Sequence, residues 1–144
     1  MHPDDSSLEC RSQRQDLIHA DISREIIGGF YETYNELGFG FSEPIYARAL
    51  DIVCRERGLD VQREYPIVVS FRGTQIGFHR CDMLVERRVI VEIKASELLS
   101  PVAKNQLRNY LAAMKLDLGM LLHFGPRANY YRILGPMRSE RHME

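Results

Sequence analysis

Arg80-Cys81-Asp82-Met83-Leu84-Val85-Glu86-Arg87-Arg88-Val89-Ile90-Val91-Glu92-Ile93-Lys94 is the stretch on which the reading of this chain turns. Two apolar, β-branched runs flank a charged triplet, the pattern of two strands joined by a short hairpin. In the second run Glu92 and Lys94 are two positions apart and share one strand face, while Val89, Val91 and Ile93 point the other way. A three-residue loop at Glu86-Arg87-Arg88 pairs Val85 with Val89 and sets Asp82 opposite Glu92. A two-residue loop puts Asp82 on the other face unless a bulge restores the parity. Facing carboxylates repel each other without a cation between them, and hard oxygen ligands suit Mg²⁺ or Mn²⁺. Such an ion can activate water and stabilise charge on a phosphate under in-line attack. Lys94 could orient that water or neutralise the developing charge. The same residues also fit a plain ion pair between Glu92 and Lys94 at a sheet rim, and by spacing alone Asp-x₉-Glu-x-Lys is too loose to displace that structural alternative.

Working outward, Val61–Phe71 and Gln75–Val85 are two strands split by Arg72-Gly73-Thr74, which with Val89–Lys94 make a three-strand meander. Upstream, Ile18, Ile22, Ile26, Phe30 and Tyr34 recur every four residues, the stripe of an amphipathic helix, which Gly38 and Gly40 end. Ser42 is read as the N-cap of a second helix running through Ile45, Ala49, Leu50 and Val53 to Gly58. Downstream, Ser100 and Pro101 read as an N-cap and a first-turn proline. The third helix they open carries Leu107, Tyr110, Leu111 and Met114 at helical spacing. Gly119–Phe124 is a short buried strand and Tyr130–Leu134 an edge strand. The order is ααβββαβ(β), an α/β (α+β) arrangement of helices on a mixed sheet. Residues 1–15 read as a flexible arm, 16–137 as one domain and 138–144 as a charged tail.

The chain has 144 residues and a formal net charge of −1, enough length for one core and no charge excess for coating nucleic acid non-specifically. Of 19 basic residues only Lys94, Lys104 and Lys115 are lysines. Arginine's planar fork suits phosphate and surface carboxylates alike. No apolar run approaches the ~20 residues of a membrane span, and the polar stretch Met1–Asp16 lacks a signal peptide's apolar core, so a cytoplasmic setting is expected. Cys10, Cys54 and Cys81 are scattered and form no CxxC pair, which argues against a disulfide framework and a cysteine-ligated zinc or iron–sulfur site.

Asp82…Glu92-Ile93-Lys94 between strands, followed by a helix with Gln106-Leu107-Arg108-Asn109-Tyr110, resembles the PD-(D/E)XK nuclease superfamily. The Gln-x₃-Tyr helix is similar to its RecB-like and lambda-exonuclease-like branch. Gly40-Phe41-Ser42-Glu43-Pro44-Ile45-Tyr46 resembles the signature of the GxxExxY family, and the resemblance spans roughly residues 17–126. It implies a restriction-endonuclease-like core with Asp82 and Glu92 as ligands of Mg²⁺ or Mn²⁺, the Ile93 carbonyl as a further oxygen, and Lys94 as the catalytic lysine. It further implies Glu43 as a helix-borne acid completing the metal shell, with Gln106 and Tyr110 touching the substrate strand. Lys104 and Arg108, with Arg87 and Arg88, are the basic residues available to approach DNA. Structural alternatives stand beside these roles: Glu43 suits a helix's first turn through the dipole alone, and Tyr110 suits a core. Two histidines expected near Tyr34 and Ala103 are missing. His79, at the wrong parity for Asp82, and His123, in a buried strand, are read as structural.

These observations lead to a metal-dependent DNA phosphodiesterase, exonucleolytic rather than endonucleolytic, with DNA as partner and no membrane. A nuclease-fold module that binds nucleic acid without turnover, and an interaction protein working with a partner or a second copy, are the competing expectations.

Overall fold

The computed structural model describes residues 18–136, so the proposed arm and tail, and Cys10, lie outside the described residues. Helix α1 spans Ala20–Leu37 and α2 Glu43–Glu56. Strands β1 (Val61–Phe71), β2 (Thr74–Val85) and β3 (Val89–Lys94) follow, then α3 (Ala103–Met114), β4 (Leu118–Phe124) and β5 (Ala128–Leu134). The mixed sheet has the order β1-β2-β3-β4-β5, and only β3 and β4 are parallel, joined by the α3 crossover. This is the expected α+β arrangement. Among the described residues no helix is long and apolar enough to cross a membrane.

The sheet is covered on both faces. Ile26 and Phe30 of α1 and Leu50 of α2 pack on one side against Val89, Val91, Ile93, Met120, Leu122 and Phe124. Leu107 and Leu111 of α3 pack on the other against Leu84, Ile90 and Leu121. Burial on two faces is why β3 and β4 read as nearly unbroken apolar runs rather than alternating ones. Gly119 lets α3 come close, because a Cβ there would sit 2.9 Å from the Leu107 side chain.

Two helix starts depart from expectation. Ser42 holds the N-cap position of α2, but its hydroxyl makes no capping bond. Pro44 has no N–H to offer, and the Ile45 N–H already donates to the Ser42 carbonyl at 3.1 Å. For α3, Ser100 and Pro101 form a preceding turn, closed by Ala103 N–H on the Ser100 carbonyl, and Val102 is the N-cap.

The loop Glu86-Arg87-Arg88 has three residues, with Val85 opposite Val89. Glu86 and Arg87 adopt positive φ of 53° and 56°, and Arg88 N–H bonds the Val85 carbonyl at 3.0 Å, a tight turn of the kind that matches strand twist. Pairing of β2 with β3 runs from there to Met83↔Val91 and then stops, while β2 stays on β1 and β3 stays on β4. The sheet therefore forks at Asp82 and Glu92.

Candidate active site

Asp82 stands where the β2–β3 ladder ends, and its side chain takes over the next rung: the Ile93 N–H donates to Asp82 Oδ2 at 2.6 Å. Continuing the register one step past Met83↔Val91 sets Asp82 beside Glu92. Glu92 is buried, only 7% exposed, on the α3 side of β3, and Lys94 is half-buried one strand repeat further on. Three charged side chains thus gather at the crotch of the fork, at the end of strands whose other members are apolar.

Burial pushes the Glu92 carboxyl up to about 8, the Asp82 charge adds to the rise, and the Lys94 charge opposes it. Burial also raises Asp82, against the Ile93 N–H and the Lys94 charge. The two carboxyls lie close enough to shift each other and titrate as a pair. Among the described residues Lys94 enters no ion pair, so the plain Glu92–Lys94 bridge is not formed. Two adjacent oxygen donors held out of water, with one positive charge nearby but not paired, fit a divalent cation better than they fit the protein alone.

Glu92's nearest partner is one the sequence reading assigned to structure. His79 Nε2 lies 3.0 Å from Glu92 Oε1, and the imidazole stacks on the Tyr110 ring at 4.2 Å with planes 3° apart. Burial lowers the His79 pKa, against the Asp82 charge and with that of Lys94, so the contact is a hydrogen bond between Glu92 and a neutral ring rather than an ion pair. Strict alternation predicts His79 on the far face. What turns it round is a kink: Glu64, flanked by the pairs Arg63↔Met83 and Tyr65↔Cys81, has a left-handed φ of 51°. Across it Met83 packs with the α1–α2 core and Cys81 with the α3 core, although both are odd-numbered. No local signal in the sequence marks that switch. His123 bonds the Ser96 carbonyl at 2.7 Å.

Helix α3 closes the cleft, whose lining is His79, Glu92, Lys94, Ala103, Gln106, Leu107, Tyr110 and Leu121. Gln106 and Tyr110 are thereby brought to Glu92 and Lys94. Lys104 and Arg108 are not: the Lys104 ammonium lies 4.1 Å over the Tyr131 ring, and Arg108 bonds Asn105 Oδ1. They are two positions out of step with Gln106 and Tyr110, about 200° round a helix. Arg87 and Arg88, in the β2–β3 turn, lie at the opposite end of β3 from Lys94, Arg88 about 20 Å away. A broad depression lined by His19, Asp21, Arg24, Glu86 and Arg88 sits at that remote end and has no part in the carboxylate site.

Glu43 is the first residue of α2 and exposed, and its charge is felt at Glu92. It stands off the pair: no three His, Cys, Asp or Glu side chains converge on one point among the described residues. Its loop is rigid. Gly38 (φ 72°) and Gly40 (φ 121°) turn the chain, and the Tyr46 hydroxyl donates to the Gly38 carbonyl and accepts from the Phe41 N–H. Tyr46 also stacks on Phe124 at 4.2 Å. The glycine, glutamate and tyrosine of the motif thus divide into bend, charge and clamp.

A family model of the PD-(D/E)XK nuclease superfamily matches residues 20–133. No curated protein matches. Among solved structures, the crystal structure of SSO0001 is similar at 22% identity and a TM-score of 0.50, over 66% of this chain and 51% of that one. The chain thus spans about half the length of that protein, and the likeness concerns the fold.

Proposed function

From its membership of the PD-(D/E)XK nuclease superfamily, we propose that this chain is a metal-dependent DNA phosphodiesterase of the GxxExxY family, in the RecB-like branch, acting as an exonuclease. The observation that carries this reading is the fork, where buried Glu92 meets Asp82 with Lys94 beside them and, among the described residues, no lysine or arginine pairs with either carboxylate. Asp82, Glu92 and the Ile93 carbonyl would hold Mg²⁺ or Mn²⁺, with Glu43 reaching the ion through water. A bound ion of this kind supplies positive charge at the phosphate and lowers the pKa of a water molecule.

The chain's own residues do the rest. Asp82, locked by the Ile93 N–H, keeps a fixed oxygen in place without reorganisation. Lys94 donates to a non-bridging phosphate oxygen or aligns the attacking water. Gln106 and Tyr110, one turn apart on α3, hold the substrate strand against the cleft, and Leu107 and Leu121 exclude bulk water. Exonuclease action rests on the Gln-x₃-Tyr helix.

The test uses labelled linear and covalently closed circular DNA with Mg²⁺, Mn²⁺ or EDTA. Linear DNA should shorten progressively, circles should survive, and EDTA should abolish the reaction. Rapid nicking of circles would assign endonuclease action instead. A second reading, binding without turnover, draws support from Glu43 standing apart from the carboxylates. DNA retained but uncleaved under every metal would favour it.

A further inference from the structure

Beyond the fork, β1 and β2 continue as a two-stranded ribbon that pairs with nothing else in the sheet. Its base is anchored, since Ile67 and Cys81 are buried against α3. Its outer part is not. Val68, Phe71, Ile76 and Phe78 are 45%, 58%, 65% and 57% exposed, and Val68 and Phe78 are direct cross-strand partners. Bare apolar side chains at this density mark a contact surface.

Charge indicates what is contacted. From Tyr65 to Cys81 there is no Asp or Glu, in a chain that has 20 acidic residues. Arginine guanidinium groups lie over both exposed rings: Arg72 is 5.0 Å from the Phe71 centroid and Arg80 is 5.7 Å from that of Phe78. A π-face beside a fixed cation is what one unpaired nucleotide requires, a surface for its base and a charge for its phosphate. A duplex hides its bases from such rings, and an apolar protein partner has no use for the arginines. Arg72 and Gly73, at φ 50° and 79°, make a narrow two-residue tip. The ribbon also leads to the chemistry, because Phe78 is four residues from Asp82 on the same strand, about 13 Å.

We infer that the β1–β2 ribbon grips single-stranded DNA, with Phe71 and Phe78 stacking unpaired bases and Arg72 and Arg80 holding the phosphates, and so leads the strand to the carboxylates. This names the strandedness of the substrate and rests on the nuclease reading for why DNA should be there.

The experiment is fluorescence anisotropy in EDTA with a labelled 20-nucleotide oligo(dT) and a blunt duplex of the same length. Wild-type protein should prefer the single strand. Phe71→Ala and Phe78→Ala should each weaken oligo(dT) binding by about fivefold or more, and Phe78→Tyr should restore it. Arg72→Gln and Arg80→Gln should each flatten the slope of log affinity against log salt by about 0.7. Circular dichroism checks that each variant is folded. No binding by the wild type, or unchanged affinity in both alanine variants, overturns the proposal. So does a dimer in sedimentation that Phe78→Ala dissolves while oligo(dT) binding persists, which would make the ribbon a contact between copies. Because EDTA removes metal-dependent cleavage, these outcomes stand apart from the nuclease reading, which wild-type cleavage of the same oligonucleotide with Mg²⁺ tests separately.

Discussion

The centre of the sheet and the fork beside it are built from the same strands on opposite terms. In β4 every residue from Leu118 to Phe124 is buried, and β3 is buried from Val89 to Ile93. There, side chains are held by apolar area removed from water, a force that is non-directional and forgiving of sequence. At the fork the strand partnership is given up, a carboxylate replaces a backbone rung, and Glu92 stays buried at an electrostatic cost. The difference teaches where stability resides and where the proposed chemistry would. The centre supplies rigidity, and the fork uses it to hold together two carboxyls and a lysine that would otherwise separate.

The sharpest way to break the comparison is to damage each region in turn. Phe30 is fully buried and packs edge-on against Phe124 at 4.7 Å. Phe30→Ala should cost about 3–5 kcal/mol of unfolding free energy, read by urea denaturation. Phe78→Ala, on the exposed ribbon, should stay within about 0.5 kcal/mol of wild type. Equal losses would mean that the ribbon belongs to the core.

Next in size is Lys94→Ala. Loss of one preorganised donor to the reacting phosphate should lower the cleavage rate by about 10²–10³-fold. Metal binding, followed by calorimetry with Mn²⁺, should be nearly unchanged. Activity that survives the change, in protein free of contaminating nuclease, removes Lys94 from the chemistry.

Acidity offers a third test, carried out in EDTA so that no metal competes. Glu92 is raised above its unfolded value, so the unfolded chain releases its proton first. The contribution of this group to stability is complete below about pH 4.5, where both states hold the proton, and it declines as pH rises toward about 8. The decline should be seen as a falling melting temperature from pH 5 to pH 8. Glu92→Gln should flatten that part of the profile. A profile just as steep in Glu92→Gln would place the proton elsewhere.

The smallest effect expected concerns the standing of Glu43. Glu43→Gln keeps size and hydrogen bonding but removes charge. If the side chain serves the ion through water, activity should fall at least about tenfold, roughly 1.4 kcal/mol of barrier, with melting unchanged. If it only complements the α2 dipole, stability should change by a few tenths of a kcal/mol and activity should not move.

Much of the fold was legible because its signals are local and periodic. The four-residue stripe from Ile18 to Tyr34 marks α1, and β3 begins and ends at the residues its composition suggests. The hairpin at Glu86-Arg87-Arg88 was legible as a turn, and of the two loop lengths open to it the structure adopts the three-residue one, which brings Asp82 beside Glu92. Gln106 and Tyr110 were legible as one helical face, whereas Lys104 and Arg108 were grouped with them by charge and fall on another.

Taken alone, then, the sequence determined which segments are helix or strand and narrowed the hairpin to two registers, one of which sets Asp82 opposite Glu92, because period acts over a few residues; the structure chose between the two. Only the tertiary structure decided that β2 parts from β3 at Asp82 and that Glu64 bends β1 in the left-handed region. It also decided that His79 turns inward onto Glu92 and Tyr110, and that Arg87 and Arg88 lie at the wrong end of the strand. These outcomes depend on how helices on two faces and neighbouring strands compete for the same backbone. That competition has no period to be read along the chain.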